Sequence, residues 1–151
     1  MSSKRPSPGN RPIDVLLVED NPGDVRLTAE ALRESGADVC LHVVDDGEKA
    51  LEFLRRLGAY RDAPRPQVVL LDLNLPRMHG RAVLDSVKTD PLLRRIPVIV
   101  VTGERSREQV LASYEHHANA FVSKPTDSTE FMSMVKTFEE FWLNSAVLPG
   151  E

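Results

Sequence analysis

Five short apolar runs, each bounded by turn residues and separated by helical patterns, limit what this chain can fold into. IDVLLV (13–18), rich in β-branched residues, VCLHVV (39–44), VVLLD (68–72), PVIVVT (97–102) and a short stretch within ANAFVS (118–123) read as strands. Asn21 followed by Pro22 marks a helix start, a capping residue with proline in the first turn. Val25, Ala29 and Leu32 then recur at helical spacing, with Leu27 and Ala31 beside them, until Gly36 stops the helix. Asp45 or Asp46 caps a second helix with the stripe Ala50, Leu54 and Leu57, and residues 58–67 form a polar, proline-bearing loop. A third helix over 81–89 carries Val83, Leu84 and Val87, and Pro91 and Pro97 bracket the loop behind it. Ser106 and Gln109 have capping-box spacing for a fourth helix reaching about His117. Asp127 with Glu130 opens a last helix ending near Leu143.

Strands alternating with helices, and apolar along their whole length, imply a parallel sheet covered on both faces. Right-handed crossovers make it doubly wound. The fold class is therefore α/β, a three-layer αβα sandwich around a five-stranded parallel sheet. The first, third and fourth strands are the most uniformly apolar and belong at the centre, which matches the flavodoxin-like order 2-1-3-4-5. Residues 13–144 are read as one domain, residues 1–12 as a disordered leader and 145–151 as a short tail. No internal repeat occurs, and with so short a tail no output domain is expected.

Composition removes several classes. A net charge of −4 disfavours nucleic acid as a partner, because duplex binding rests on a clustered basic surface. The single cysteine, Cys40, can build neither a disulfide framework nor a thiolate metal site by itself, and is expected as a small buried hydrophobe. No run approaches the ~20 apolar residues of a membrane span. The opening MSSKRPSPGNRP has no apolar core of a secretory signal, so the protein is expected in the cytoplasm.

In a doubly wound sheet, ligands bind beyond the carboxyl ends of the strands. There the chain places Glu19 and Asp20, Asp72, Thr102 and Lys124. Each has an ordinary explanation alone: a cap, a turn residue, a solvated lysine. Their joint arrival at one edge does not. Three close carboxylates repel, and Mg²⁺, which prefers oxygen ligands together with waters and a phosphate, resolves this. The Lys124 ammonium and the Thr102 hydroxyl add donors suited to the equatorial oxygens of a phosphoryl group. Asp72, at the centre, is a carboxylate nucleophile candidate.

LLVEDNPGD (16–24), LLDLNLPRMHG (70–80), VIVVTG (98–103) and AFVSKP (120–125) resemble, in order and spacing, the motifs of the response-regulator receiver domains of two-component signalling. The resemblance covers about residues 13–143. It implies that Asp72 is the phosphoacceptor, that Asp20 touches Mg²⁺ directly and Glu19 through water, and that the backbone carbonyl of Asn74 completes the metal site. It further implies that Thr102 and Lys124 hold phosphoryl oxygens, that Lys124-Pro125 carries a cis peptide, and that Phe121 fills the aromatic switch position. Phenylalanine there removes the hydroxyl that tyrosine would offer, leaving ring rotation toward Thr102. LLVEDNPGDVRLTAEAL, the proline-bearing loop and FEEFWLNS (138–145) resemble one branch, the stand-alone regulators paired with phytochrome-type sensor histidine kinases. A light-sensing kinase is the partner that branch implies.

None of His42, His79, His116 and His117 need be catalytic, since a receiver takes phosphate from its partner's histidine. His79 is expected as a plain loop residue, and His116-His117 as cations at a helix C-terminus. Phe131, Val135, Phe138 and Trp142 form one stripe of the last helix, with Met134, Phe141 and Ser145 on a neighbouring line. One stripe faces the sheet. The excess, with Phe138, Phe141 and Trp142, is expected to meet a second copy or another partner. Two other classes fit the residues less well. A phosphatase with an aspartate nucleophile usually carries it on the first strand with a second aspartate two residues on; here that position is Asn74, and no cap domain is expected. A receiver-like docking module that works without phosphorylation would have lost the acceptor, the acidic pair or the lysine, and all are present. Neither G-x-x-x-x-G-K nor G-x-G-x-x-G occurs.

Overall fold

A computed structural model describes residues 12–36, 38–76, 78–102 and 120–123, together with 129, 130, 133, 136 and 137; Thr102 and residues 120–123 are described by their backbone. The described elements are β1 (Ile13–Val18), α1 (Pro22–Ser35), β2 (Val39–Val44), α2 (Gly47–Arg55), a short 3₁₀ turn (Gly58–Tyr60), β3 (Val68–Leu71), α3 (Gly80–Thr89), β4 (Val98–Thr102) and β5 (Ala120–Ser123). The strands pair in parallel in the order β2-β1-β3-β4-β5, as the apolar pattern predicts. The expected fourth helix, residues 1–11 of the expected leader and the expected tail lie outside the described residues. Of the last helix, residues 129, 130, 133, 136 and 137 are helical.

Local chemistry sets the element ends. The Asn21 side chain accepts from the N–H groups of Gly23 and Asp24, and Pro22 opens α1. Gly36 closes α1 in the left-handed region, at φ 76°. Of the two candidate caps for α2, Asp46 is the one used, its Oδ1 accepting from Lys49 N at 2.7 Å. Asp45 instead pairs with the Lys49 ammonium at 2.9 Å.

Alternation along the strands splits the core into two layers. Leu16, Val18, Val69, Leu71, Val98 and Val100 face Ala50, Phe53 and Leu54 of α2 and Val83, Leu84 and Val87 of α3. Val15, Leu17, Val68, Leu70 and Ile99 face the other way, where Val25 of α1 packs. Helices therefore cover both faces, and burial of each such Val or Leu side chain contributes about 1.5–3 kcal/mol. Among the described residues no helix is long and apolar enough to cross a membrane.

Three expectations are corrected. Leu57 does not continue the α2 stripe: the helix closes at Arg56, which adopts φ 58°, and Leu57 is 52% exposed. Leu51 and Phe53 join the core in its place. Cys40 is exposed rather than buried, because β2 is an edge strand and its amino-terminal half is not covered as Val44 is. His79 is more than a loop residue: it is the N-cap of α3, its Nδ1 accepting from Arg81 N at 3.1 Å.

Candidate phosphoryl-acceptor and metal site

Parallel register brings the polar residues to one edge. Val18 stands opposite Val44 and Leu71, and Leu71 opposite Val100. The ladder continues one residue further, with Glu19 N donating to Val44 O and Asp72 N to Val18 O, each at 3.0 Å. Glu19 and Asp72 are thus fixed by backbone bonds at the ends of adjacent strands. Carboxylate oxygens of Glu19, Asp20 and Asp72 all lie within 4.8 Å of one another. Glu19 and Asp72 are buried, while Asp20 is exposed.

The buried pair is oriented by main-chain donors. Asn21 N donates to Glu19 Oε2 at 3.2 Å, and Asn74 N donates to Asp72 Oδ1 at 2.9 Å. Asn74, expected to supply a carbonyl to a metal, therefore has at least its N–H engaged on the central carboxylate. A set of three carboxylates, two buried and one open to solvent, fits a hard divalent cation. Such an ion takes oxygen ligands and keeps part of its coordination shell for water or phosphate.

The turn after Asp72 is closed from two sides. Gly80 N donates to Leu73 O at 2.9 Å, and a β-carbon at Gly80 would stand 2.5 Å from Asp72 O and 2.6 Å from Leu73 Cα. A β-carbon at Gly47, the first residue of α2, would stand 2.6 Å from Met78 O. Gly80 is legible in the sequence as a turn residue. That it presses on Asp72, and that Gly47 presses on the same turn, is a matter of space that no periodicity encodes.

Of the other expected site residues, Thr102 ends β4, and its backbone stands opposite Ser123, the residue before Lys124. Phe121 stands opposite Val100 in β5. Lys124, the Lys124-Pro125 bond, Phe138, Phe141, Trp142 and the His116-His117 pair lie outside the described residues. A second group of ligand-type side chains, Asp14, Cys40 and His42, lies at the other end of β1 and β2 and was not singled out from the sequence.

Comparison with known proteins agrees with this geometry. The response regulator receiver domain family matches residues 15–136. Response regulator Rcp1 of Synechocystis sp. is 44% identical over 141 residues, 93% of this chain and 96% of that protein. The crystal structure of the Mn²⁺-bound form of Rcp1 superposes with a TM-score of 0.89 at 43% identity, covering 92% of this chain and all of that one. The crystal structure of the phosphorylated cyanobacterial phytochrome response regulator RcpA also gives a TM-score of 0.89, at 42% identity, covering 91% of this chain and 99% of that one. With the acidic edge, the strand order and these relatives in agreement, the chain belongs to the family of response regulator receiver domains.

Proposed function

We propose that this protein is a single-domain response regulator that takes a phosphoryl group from a sensor histidine kinase onto Asp72. The observation that carries the reading is the buried Asp72 carboxylate, held by Asn74 N–H and clustered with Glu19 and Asp20 at the carboxyl edge. An Asp72 carboxylate oxygen attacks phosphorus; the bond from phosphorus to the kinase's histidine nitrogen breaks, and its electron pair stays with the imidazole. Glu19, Asp20, Asp72 and the Asn74 carbonyl would hold Mg²⁺, which would supply charge neutralisation at the phosphoryl oxygens. Thr102 and Lys124 hold the remaining oxygens. Capture of the phosphoryl group draws Thr102 inward and lets Phe121 follow, so that a pre-existing equilibrium shifts toward a state with different partner contacts.

The protein's only chemistry in this reading is on itself: acceptance of the group and its later hydrolysis. A phytochrome-type kinase is the partner proposed, supported by the likeness to a phytochrome response regulator, and the cytoplasm is where its phosphohistidine would meet Asp72. The apolar stripe with Phe138, Phe141 and Trp142 is proposed as the contact with a second copy, checked by sedimentation. A monomer at tens of micromolar counts against it.

The deciding experiment is intact mass after incubation with acetyl phosphate and Mg²⁺, with and without EDTA, on the wild type and Asp72→Asn. A gain of one phosphoryl group that needs the metal and Asp72 is the expected result. Acceptance by Asp72→Asn would overturn the assignment. If the wild type gains nothing, tight metal-dependent binding of beryllofluoride separates a regulator that needs its kinase from a module that docks without phosphorylation.

A further inference from the structure

The carboxyl edge does not exhaust the ligand-type side chains of the sheet. Asp14 lies near the start of β1, and Cys40 and His42 lie two residues apart on β2, hence on one face. The register sets Asp14 opposite Cys40 and Leu16 opposite His42, so His42 is the diagonal neighbour of Asp14. An Asp14 carboxylate oxygen, the Cys40 sulfur and a His42 ring nitrogen all lie within 4.8 Å of one another. Two donors bound tetrahedrally to one zinc ion at about 2.0–2.3 Å stand ~3.3–3.8 Å apart, so side-chain rotations that close the separations by about 1 Å bring all three onto one ion.

The cluster is framed on each side. Asp14 N donates to Gln67 Oε1 at 2.8 Å, and Gln67 N donates to Asp14 O at 2.9 Å, which locks the start of β1 to the segment entering β3. The His42 Nε2 stands 2.9 Å from Asp14 Oδ1. Its ring lies tilted against Phe53, centroids 5.3 Å apart, and Phe53 in turn packs on Tyr60. Asp14 and His42 are half-buried and Cys40 is exposed, so the donors are held on one side and open to solvent on the other.

A hydrogen-bonded His–Asp pair on a strand needs no ion. A thiol converging on the same carboxylate completes a different donor set: sulfur, nitrogen and oxygen on one face. Such a set selects a borderline cation of the zinc class over Mg²⁺, whose preference is for oxygen alone. We propose that Asp14, Cys40 and His42 form a second divalent-cation site, for zinc or cobalt, separate from the carboxylate site at the far end of β1. Three protein ligands leave a fourth position for water. Binding ties the edge strand β2 to β1 and releases the thiol proton to the buffer.

The test uses the full chain with Mg²⁺ in excess to occupy the carboxylate edge. Cobalt(II) is titrated while the near-ultraviolet thiolate-to-cobalt charge-transfer band is followed. Because Cys40 is the chain's single cysteine, the band reports on this site alone. The expected result is a saturable band at one ion per chain, lost in Cys40→Ser and unchanged in Asp72→Asn. In Asp14→Asn and His42→Ala the apparent affinity should fall by at least ~10-fold. His42→Gln keeps a polar side chain against Phe53 and stands in if the alanine variant fails to fold. A wild type with no band at saturating cobalt would overturn the proposal. So would a band whose affinity is indifferent to both Asp14 and His42, which would mean that Cys40 binds cobalt by itself.

Discussion

Strand β1 carries acidic residues at both ends, and the two ends behave differently. At its carboxyl end Glu19 and Asp20 lie beyond the last pleat and meet Asp72 from the neighbouring strand. At its amino end Asp14 lies within the pleat and meets Cys40 and His42 across the ladder. The first group is all oxygen, and Glu19 and Asp72 in it are oriented by backbone N–H groups of the turns that follow. The second mixes sulfur, nitrogen and oxygen on one sheet face, with the Asp14 main chain held by Gln67 and the His42 ring set against Phe53. A parallel sheet gathers residues at its carboxyl edge by topology, since every strand delivers its chain there. It gathers residues at its amino end only by register, and only where an edge strand leaves a face uncovered.

That contrast can be broken from either side. The largest effect expected is at the carboxyl end: Asp72→Asn should abolish phosphoryl acceptance, read by intact mass, while leaving thermal unfolding close to the wild type. Asp14→Asn should leave acceptance intact; its loss there would mean that the two ends are coupled. Next in size is Gly80→Ala. Its new methyl group meets backbone atoms of Asp72 and Leu73, and overpacking of this kind costs about 1–3 kcal/mol, measurable by urea unfolding. It should also slow acceptance by shifting Asp72. His79→Ala removes the cap of α3 and should cost ~1 kcal/mol, whereas His79→Asp keeps an acceptor and should cost little. The smallest effect is at the amino end. Partial burial, and the Asp14 carboxylate beside it, push the Cys40 thiol above its usual range. Removing that negative charge lowers it again, so Asp14→Asn should raise the thiolate fraction near neutral pH and speed alkylation by iodoacetamide.

How much of this was legible follows from the same distinction. The strands, the order of the sheet and the convergence of Glu19, Asp20 and Asp72 could be read because short apolar runs declare strands and strand ends declare the edge. Thr102 is read at the end of its strand by the same logic, and its backbone does end β4, while Lys124 lies outside the described residues. Leu57 was misread because the apolar spacing continues past the point where the backbone turns at Arg56, and an arginine at positive φ announces nothing in sequence. Cys40 was misread because a run of six residues with four valines and leucines does not reveal that its strand has one neighbour. Asp14 and His42 were passed over because their proximity depends on cross-strand register. The role of His79 was missed because imidazole is an uncommon N-cap. Gly47 and Gly80 are held to glycine by contacts between segments distant in sequence, which local pattern does not record.

Those two glycines carry one more consequence. Neither has a positive φ, so neither is required by its own backbone angle; each is required by space, and the nearest atom filling that space is a carbonyl oxygen, of Met78 for Gly47 and of Asp72 for Gly80. A clash with a side chain can be relieved by trimming the neighbour. A clash with main chain cannot, because every amino acid brings the same carbonyl. Positions 47 and 80 therefore have no compensating partner anywhere in the sequence. Drift can rewrite the side chains around them, but it can replace these glycines only by moving the loop that holds Asp72.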